Sequence, residues 1–536
     1  MAMTQMMTKT PFLGCKDISL RFYDQKQPVL RHINLEISLG EKVLFLGPSG
    51  CGKSTLLSVL SGIIPNQIEA DLNGEVFHPE HIGVMFQDPD AQFCMLHVDE
   101  EIAFSLENRS VPREQMDALI QKVKKVVGLE VPGDTAIYTL SGGMKQRLAL
   151  ACLLALEPQV LFFDEPTAQL DPVSRADIFK LLHAYSKTSQ QTLVFIEHVL
   201  DGLIEWMDRV VLFNAHGQLL ADGKPEDIVT HYAKALEEAG VWQPKLFPAT
   251  WSEVVKEPQH PLSIKLEQEW QHLQHQQREF NQAPVLYELS HVSFQYGRNN
   301  VLSDLNFNIQ QGEWVTIIGE NGSGKSTLLK LLAHLEWPLK GTVLFHHKNL
   351  KKWSRKSFYK QAGYVFQNPE WQFVTNNVHD EIAFGGKRQQ WEGQSLETAI
   401  DQLLKEFRLD HYRHQHPFTL SQGQKRRLSV ATMLLFDQEV LLLDEPTFGQ
   451  DARTTRDLLA RLKERQNKGS TIIMVTHDMD LVSEMSDRVL LLNKGKLIYN
   501  GRPNALFSQE ALCQQSAIVP PLPYQLKASR TLIQEG

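Results

Sequence analysis

Apolar positions along this chain follow two alternating rhythms, and the whole alternation occurs twice. Short apolar runs stand at Lys42–Leu46, Leu161–Phe163 and Leu193–Ile196, then again at Trp314–Ile318, Leu441–Leu443 and Ile472–Val475. Such runs are too short for helices and predict strands buried on both faces. Lys53–Leu60 and Lys325–Leu332 have helical spacing instead. Alternating buried strands and helices predict an α/β fold around a mostly parallel sheet. Toward the end of each half, Asn214–Gly223 and Asn493–Gly501 carry glycine turns and read as β-hairpins.

The repetition extends to the letters. GPSGCGKST begins at Gly47 and GENGSGKST at Gly319; FQDPDAQF begins at Phe86 and FQNPEWQF at Phe366. LSGGMKQRLALA at Leu140 pairs with LSQGQKRRLSVA at Leu420, LFFDEPTAQLD at Leu161 with LLLDEPTFGQD at Leu441, and FIEHVLD at Phe195 with MVTHDMD at Met474. A spacing of about 275 residues is far beyond any solenoid unit and marks duplication of a whole domain. The expected division is domain one over 1–235, the end of that domain plus a Gln/His/Glu-rich linker over 236–283, and domain two with a C-terminal extension over 284–536. In the linker, Leu266, Trp270 and Leu273 space as a short helical stripe, and His272 and His275 read as solvated rather than metal-binding.

Composition narrows the class. The 536 residues are 42% hydrophobic and 22% charged, as in ordinary globular proteins. A net charge of −9 argues against a dedicated nucleic-acid binder. The longest apolar run, Leu148 to Leu156, falls well short of the ~18–20 residues of a membrane span. The opening MAMTQMMTKTPFLG lacks the apolar core of a signal peptide. Five scattered cysteines, Cys15, Cys51, Cys94, Cys152 and Cys513, form neither a disulfide framework nor a metal spacing, which suits a reducing cytoplasm.

The chemistry begins at the glycine-rich strings. Each lies between a predicted strand and a predicted helix, the context of a phosphate-binding P-loop. The candidate ATP-binding residues are Gly47, Pro48, Ser49, Gly50, Cys51, Gly52, Lys53, Ser54 and Thr55, and Gly319, Glu320, Asn321, Gly322, Ser323, Gly324, Lys325, Ser326 and Thr327. Glycines let the backbone N–H groups face phosphate, and the helix N-terminus adds partial positive charge. Lys53 and Lys325 would reach the β- and γ-phosphates, while Ser54 and Ser326 would hold Mg²⁺. Cys51 reads as a small tolerated residue. Asp164 and Asp444 end apolar runs, where a carboxylate can hold Mg²⁺; Glu165 and Glu445 follow, where a carboxylate can orient or deprotonate a water.

Taken in order, P-loop, glutamine, LSGG-type string, DEPT and histidine resemble the ABC-type ATPases over nearly the whole chain. The resemblance implies two tandem P-loop NTPase domains. Each would have a mostly parallel core, an antiparallel β subdomain and a helical subdomain carrying the signature. It implies that Gln87 and Gln367 sense Mg²⁺, and that His198 and His477 contact the γ-phosphate. Ser141, Gly142 and Gly143 would form one signature, and Ser421 and Gly423 the other. Asp171 and Asp451 would be the D-loop aspartates, Tyr296 an adenine-stacking aromatic, and Phe22 or Tyr23 its counterpart in the first half. In this family two domains close head to tail, each ATP lying between one P-loop and the other signature. Both signatures depart from the family pattern, with Met144 in place of Gln and Gln422 in place of the first Gly. Both halves keep the Glu and the His, so two hydrolytic sites are expected.

FQDPDAQF with VDEEIAF, and FQNPEWQF with VHDEIAF, look like the ATPases of energy-coupling-factor (ECF) vitamin importers. The fused double form is similar to those linked to uptake of thiamine or its hydroxymethylpyrimidine precursor. That resemblance implies an integral-membrane coupling subunit, a separate substrate-binding membrane subunit and a place on the cytoplasmic face of the membrane. Asp90, Glu100, Glu101, Glu370, Asp380 and Glu381 are the candidates for meeting arginines of the coupling subunit. The rival readings are an ABC-F translation factor and the fused ATPase of a sugar importer. The first calls for a basic interdomain helix and N-H-L-D after DEPT, where this chain has a Gln/His/Glu-rich linker, Ala168-Gln169-Leu170-Asp171 and Phe448-Gly449-Gln450-Asp451. The second often shows a degenerate second half, and this one is complete.

Overall fold

The computed structural model describes residues 12–23, 27–168, 170–275, 283–388 and 390–535. Most of the N-terminal stretch, Gln169 and the end of the linker lie outside the described residues. One compact unit runs to Thr250 and takes in Asp451–Arg453; the other holds the rest of the chain from Trp251.

In the first unit the apolar runs form a six-stranded sheet in the order Ile82–Met85, Val160–Asp164, Thr192–Ile196, Lys42–Leu46, Arg209–Phe213, Leu219–Gly223. The first five strands are parallel, and the last pairs antiparallel as the expected hairpin. Val43–Leu46 and Val160–Phe163 are buried at every position, because helices cover both faces of the sheet. A second, antiparallel sheet joins Leu30–Ile37, Leu13–Arg21 and Asp71–Phe77.

The second unit repeats this plan. Its central sheet runs Ala362–Val365, Val440–Asp444, Thr471–Val475, Trp314–Ile318, Arg488–Asn493, Lys496–Gly501. Its antiparallel sheet joins Asn299–Gln310, Val285–Tyr296, Lys340–Phe345 and Lys348–Asn349. Between its antiparallel and central sheets it inserts a short strand and two helical turns, Leu350–Lys352 and Arg355–Phe358, which the first unit replaces with a direct connection. The duplication reaches fine detail: His32 and Asp17 share a bulge at φ 52° and 51° with a 2.7 Å contact, and His291 and Asp304 do the same at 2.8 Å.

The linker stripe forms a helix, Pro261–His275, with Leu266 buried. Trp270 and Leu273 pack beside a cluster that includes Tyr524 of the C-terminal helix Leu522–Glu535. Arg530 on that helix donates to Glu267 at 2.7 Å and to Ser263. The segment therefore packs within the second unit. No described helix is long and apolar enough to cross a membrane.

Candidate functional site

Parallel strands present their carboxyl ends along one edge of the sheet, and connections leaving that edge gather there. In the first unit these are the loops after Leu46, Met85, Asp164 and Ile196, which carry the P-loop, Gln87, Glu165 and His198. The second unit places the P-loop, Gln367, Glu445 and His477 in the same way.

The two P-loops have the same backbone. Gly47, Gly50 and Gly52 sit at φ 149°, 80° and 100°, and Gly319, Gly322 and Gly324 at 143°, 79° and 99°. A Cβ on Gly50 or Gly322 would meet nothing within 4 Å, so the left-handed backbone, not lack of room, calls for glycine there. Lys53 and Lys325 are buried. Lys53 Nζ donates to the carbonyls of Gly47 and Pro48 at 2.8 and 2.9 Å, and Lys325 Nζ to those of Gly319 and Glu320 at the same distances. Both ammonium groups are thus held against backbone carbonyls at the start of their own loops.

Ser54 Oγ donates to Asp164 Oδ1 at 3.0 Å, and Ser326 Oγ to Asp444 Oδ1 at 3.1 Å. Burial, then the charge of Glu165, pushes the Asp164 carboxyl up to about 6; burial raises Asp444 likewise. Glu165 and Glu445 occupy left-handed backbone at φ 49° and 51°. For a non-glycine residue that conformation costs about 1–2 kcal/mol, and it turns both carboxylates off the strand ends. Their amides donate to Ile196 and Val475 at 2.9 and 3.1 Å.

The two glutamates differ in surroundings. Glu165 accepts from Gln87 Nε2 at 2.7 Å and lies 3.0 Å from His198 Nε2. Burial works against its charge, but the hydrogen bond and charge of His198, with Lys53, hold the carboxyl below its ordinary value. His477 Nε2 lies 3.3 Å from Glu445 Oε1, and Gln367 is exposed. Burial, then the charge of Asp444, pushes Glu445 up to about 8.

Ser141 and Ser421 cap the helices Gly142–Ala155 and Gln422–Leu434. Ser421 and Gln424 form a reciprocal capping box; Met144 cannot return that bond, so the first helix keeps only the serine half. Gly143 and Gly423 lie in the first turns. Asp171 caps Pro172–Thr188, accepting from the amides of Val173 and Ser174 at 3.0 Å. Tyr296 is exposed, edge-on to Phe294. Counting from the matched bulges at Asp17 and His291, Phe22 is its counterpart; it packs on the core, while Tyr23 is exposed.

The acidic candidates fare differently from the expectation of a free acidic surface. Glu101 and Glu381 are buried and hold their own loops: Glu101 accepts from the amides of Cys94 and Met95, and Glu381 from those of Val374 and Thr375. Asp90 pairs with Lys145 at 2.7 Å and Glu370 with Lys425 at 2.5 Å. Glu100 meets His97, and Asp380 meets Asn377 and Lys387. An acidic helix N-terminus reads as a charged face; tertiary structure turns one acid of each copy inward, Glu101 and Glu381, and pairs the others at the surface.

Sequence reasoning missed Glu197. It is buried, accepts from Thr167 N and Oγ1 at 3.0 and 2.6 Å and from the His198 amide at 3.2 Å, and so ties the DEPT turn to the histidine. An acid inside the apolar run LVFIEH was the available signal. Arg426, buried on the second signature helix, was also missed.

The ABC transporter family matches residues 30–168 and 302–448. A protein of Bacillus subtilis (strain 168), provisionally named an HMP/thiamine import ATP-binding protein, is 39% identical over 96% of each chain. Proteins provisionally named ABC transporter ATP-binding proteins are similar too. One from Methanosarcina acetivorans is 33% identical over 96% of this chain and 90% of its own, and one from Streptococcus pneumoniae serotype 4 is 36% identical over 94% and 93%. With two matched regions and duplicated strand-end sites, the chain belongs to the ABC transporter ATP-binding family and is a tandem ABC-type ATPase.

Proposed function

We propose that this chain is the ATP-hydrolysing, energising subunit of an ECF-type importer that carries a vitamin or vitamin precursor. What carries the reading is the doubled FQ-(D/N)-P-x-x-Q-F segment, each copy beside a complete P-loop, DE and His set. The 39% identity to a relative named for HMP/thiamine import supports the importer class, and thiamine or its hydroxymethylpyrimidine precursor is the substrate to test first.

ABC domains bind ATP. Here the P-loop amides with Lys53 and Lys325 would hold the phosphates. A magnesium ion suits the donor set: each P-loop serine meets a buried aspartate, and the raised Asp164 carboxyl is one that a neighbouring dication would keep ionised. Ser54 and Asp164, and Ser326 and Asp444, would hold it, and when bound it neutralises phosphate charge. Glu165 and Glu445 would orient the attacking water, with His198 and His477 beside them to meet the γ-phosphate. Ser141, Gly143, Ser421 and Gly423 would serve ATP as signature groups, and Tyr296 would stack on adenine.

Membrane partners would dock beside the loops that follow Gln87 and Gln367, placing the protein on the cytoplasmic face. Apolar side chains stand exposed there: Leu96, next to the Ile137–Thr139 turn that bears Tyr138, and Trp371 and Val374 in the second unit. The test is purification of the chain from detergent-solubilised membranes, with mass spectrometry of what accompanies it. An integral-membrane coupling subunit and a small substrate-binding membrane protein are expected. Sedimentation with ribosomes, without membrane proteins, would overturn the importer reading in favour of a translation factor.

A further inference from the structure

The two units hold their Q-loop segments in different ways. In the second unit Arg426, only 6% exposed, donates from Nη1 to the Phe366 carbonyl at 2.6 Å and from Nη2 to the carbonyl of Gln367 itself. Over the next two turns of the same helix, Ser429 and Thr432 engage Gln372. Gln372 Nε2 donates to the Ser429 carbonyl at 3.0 Å and to Thr432 Oγ1 at 2.5 Å, and Ser429 Oγ donates to Gln372 Oε1 at 2.7 Å. Lys425 adds its pair with Glu370.

In the first unit only the lysine pair survives, between Lys145 and Asp90. The position of Arg426 is taken by Gln146, 1% exposed, and neither of its amide atoms has a hydrogen-bond partner among the described residues. Ala149 and Cys152 stand where Ser429 and Thr432 stand, and Gln92 turns away to donate to Val84 O at 3.1 Å. The consequence is visible at the glutamines. Gln87 is free to lie on Glu165 at 2.7 Å, whereas Gln367, its main chain held by Arg426, is exposed.

We propose that Arg426 is a positioning residue of the second ATP site: it latches the Q-loop carbonyls to the signature helix, so that loop and helix move as one piece, while the first unit leaves its Q-loop unlatched. A guanidinium suits this role because its rigid planar fork presets the directions of two N–H groups, one for each carbonyl, whereas an ammonium on a flexible stem has no fixed geometry to offer. Its charge also stands near Glu445 and Asp444, so withdrawing it changes the field at the reacting end of the site. The two sites would then differ in how readily Q-loop movement follows nucleotide. The role rests on Gln367 and Glu445 belonging to that site.

The experiment is amide hydrogen exchange on the full nucleotide-free chain, followed through peptides covering 86–92 and 366–372. The latch predicts slower exchange in the second peptide. Arg426→Gln should speed it by at least about ten-fold, as expected for losing even one charge-assisted bond at a local opening. Arg426→Lys, which keeps the charge but not the fixed fork, should fall between. Gln146→Arg should slow the first peptide. In the Glu165→Gln background, where the second site alone turns over, Arg426→Gln should shift the half-saturating Mg²⁺ concentration several-fold, less than the full worth of one such bond because Arg426 acts on the ion only through Gln367. In the Glu445→Gln background it should not shift. Equal exchange in the two unmodified segments would overturn the latch, as would Arg426→Gln speeding exchange throughout the second unit. A latch confirmed by exchange but without effect on Mg²⁺ dependence would instead remove Gln367 from the site.

Discussion

Lys425 Nζ lies 2.5 Å from Glu370 Oε1, and its side chain is only 9% exposed. A carboxylate offered by the sequence to an outside partner is thus already committed to its own signature helix. Glu370→Lys would set two ammonium groups together at a nearly buried position. It should lower the thermal stability of the second unit by about 1–3 kcal/mol, the cost of stranding a charge. Lys425→Glu on top of it should restore most of the loss in a calorimetric scan. If Glu370→Lys melts like the parent, the pair holds nothing.

The signature helices offer a smaller test. Gln424 closes a capping box with Ser421, and Met144 leaves the matching box half made. Met144→Gln should raise the stability of the first unit by about 0.5–1 kcal/mol, and Gln424→Met should lower that of the second by a similar amount. Differential scanning calorimetry reads both; changes of the same sign in the two variants would refute the capping account.

Both glutamates sit at strand ends in left-handed backbone beside a histidine. Glu165→Gln and Glu445→Gln should each slow steady-state ATP turnover, and the double variant should reduce it by roughly 10²–10⁴. Phosphate release is the assay. If one single variant turned over at the parent rate while the other lost all activity, the chain would have one hydrolytic site.

Leu96 and Val374 are 74% and 64% exposed on the segments after the two Q-loop glutamines. Leu96→Asp with Val374→Asp should weaken capture of the membrane subunit at least ten-fold, about what desolvating an unpaired carboxylate costs in an interface. ATP turnover of the isolated protein should stay within two-fold. Undiminished capture in a pull-down would move the docking surface elsewhere.

Much of the fold was legible from local pattern. Trp314–Ile318 and Leu441–Leu443 read as buried strands, because runs this short and this apolar, the first rich in β-branched residues, suit a strand covered on both faces. Gly-x-x-x-x-Gly-Lys-Ser between strand and helix prescribes its own backbone, and the two loops agree to within a few degrees. The helical stripe at Leu266, Trp270 and Leu273 was equally readable, but not the surface it would cover.

The sequence by itself determined the duplication, the parallel sheets, the phosphate loops and the order of Asp, Glu and His, since each depends on neighbours close in the chain or on strand ends that parallel pairing brings to one edge. Only the tertiary structure decided which polar side chains meet across long separations. Glu101 and Glu381 turned inward to hold loops, Glu197 tied Thr167 to His198, and Arg426 reached the carbonyl of Gln367 while the amide of Gln146, in the same place on the other helix, has no hydrogen-bond partner among the described residues. A hydrogen bond is satisfied by direction and distance, and a run of letters carries neither until packing has set the helices against the loops.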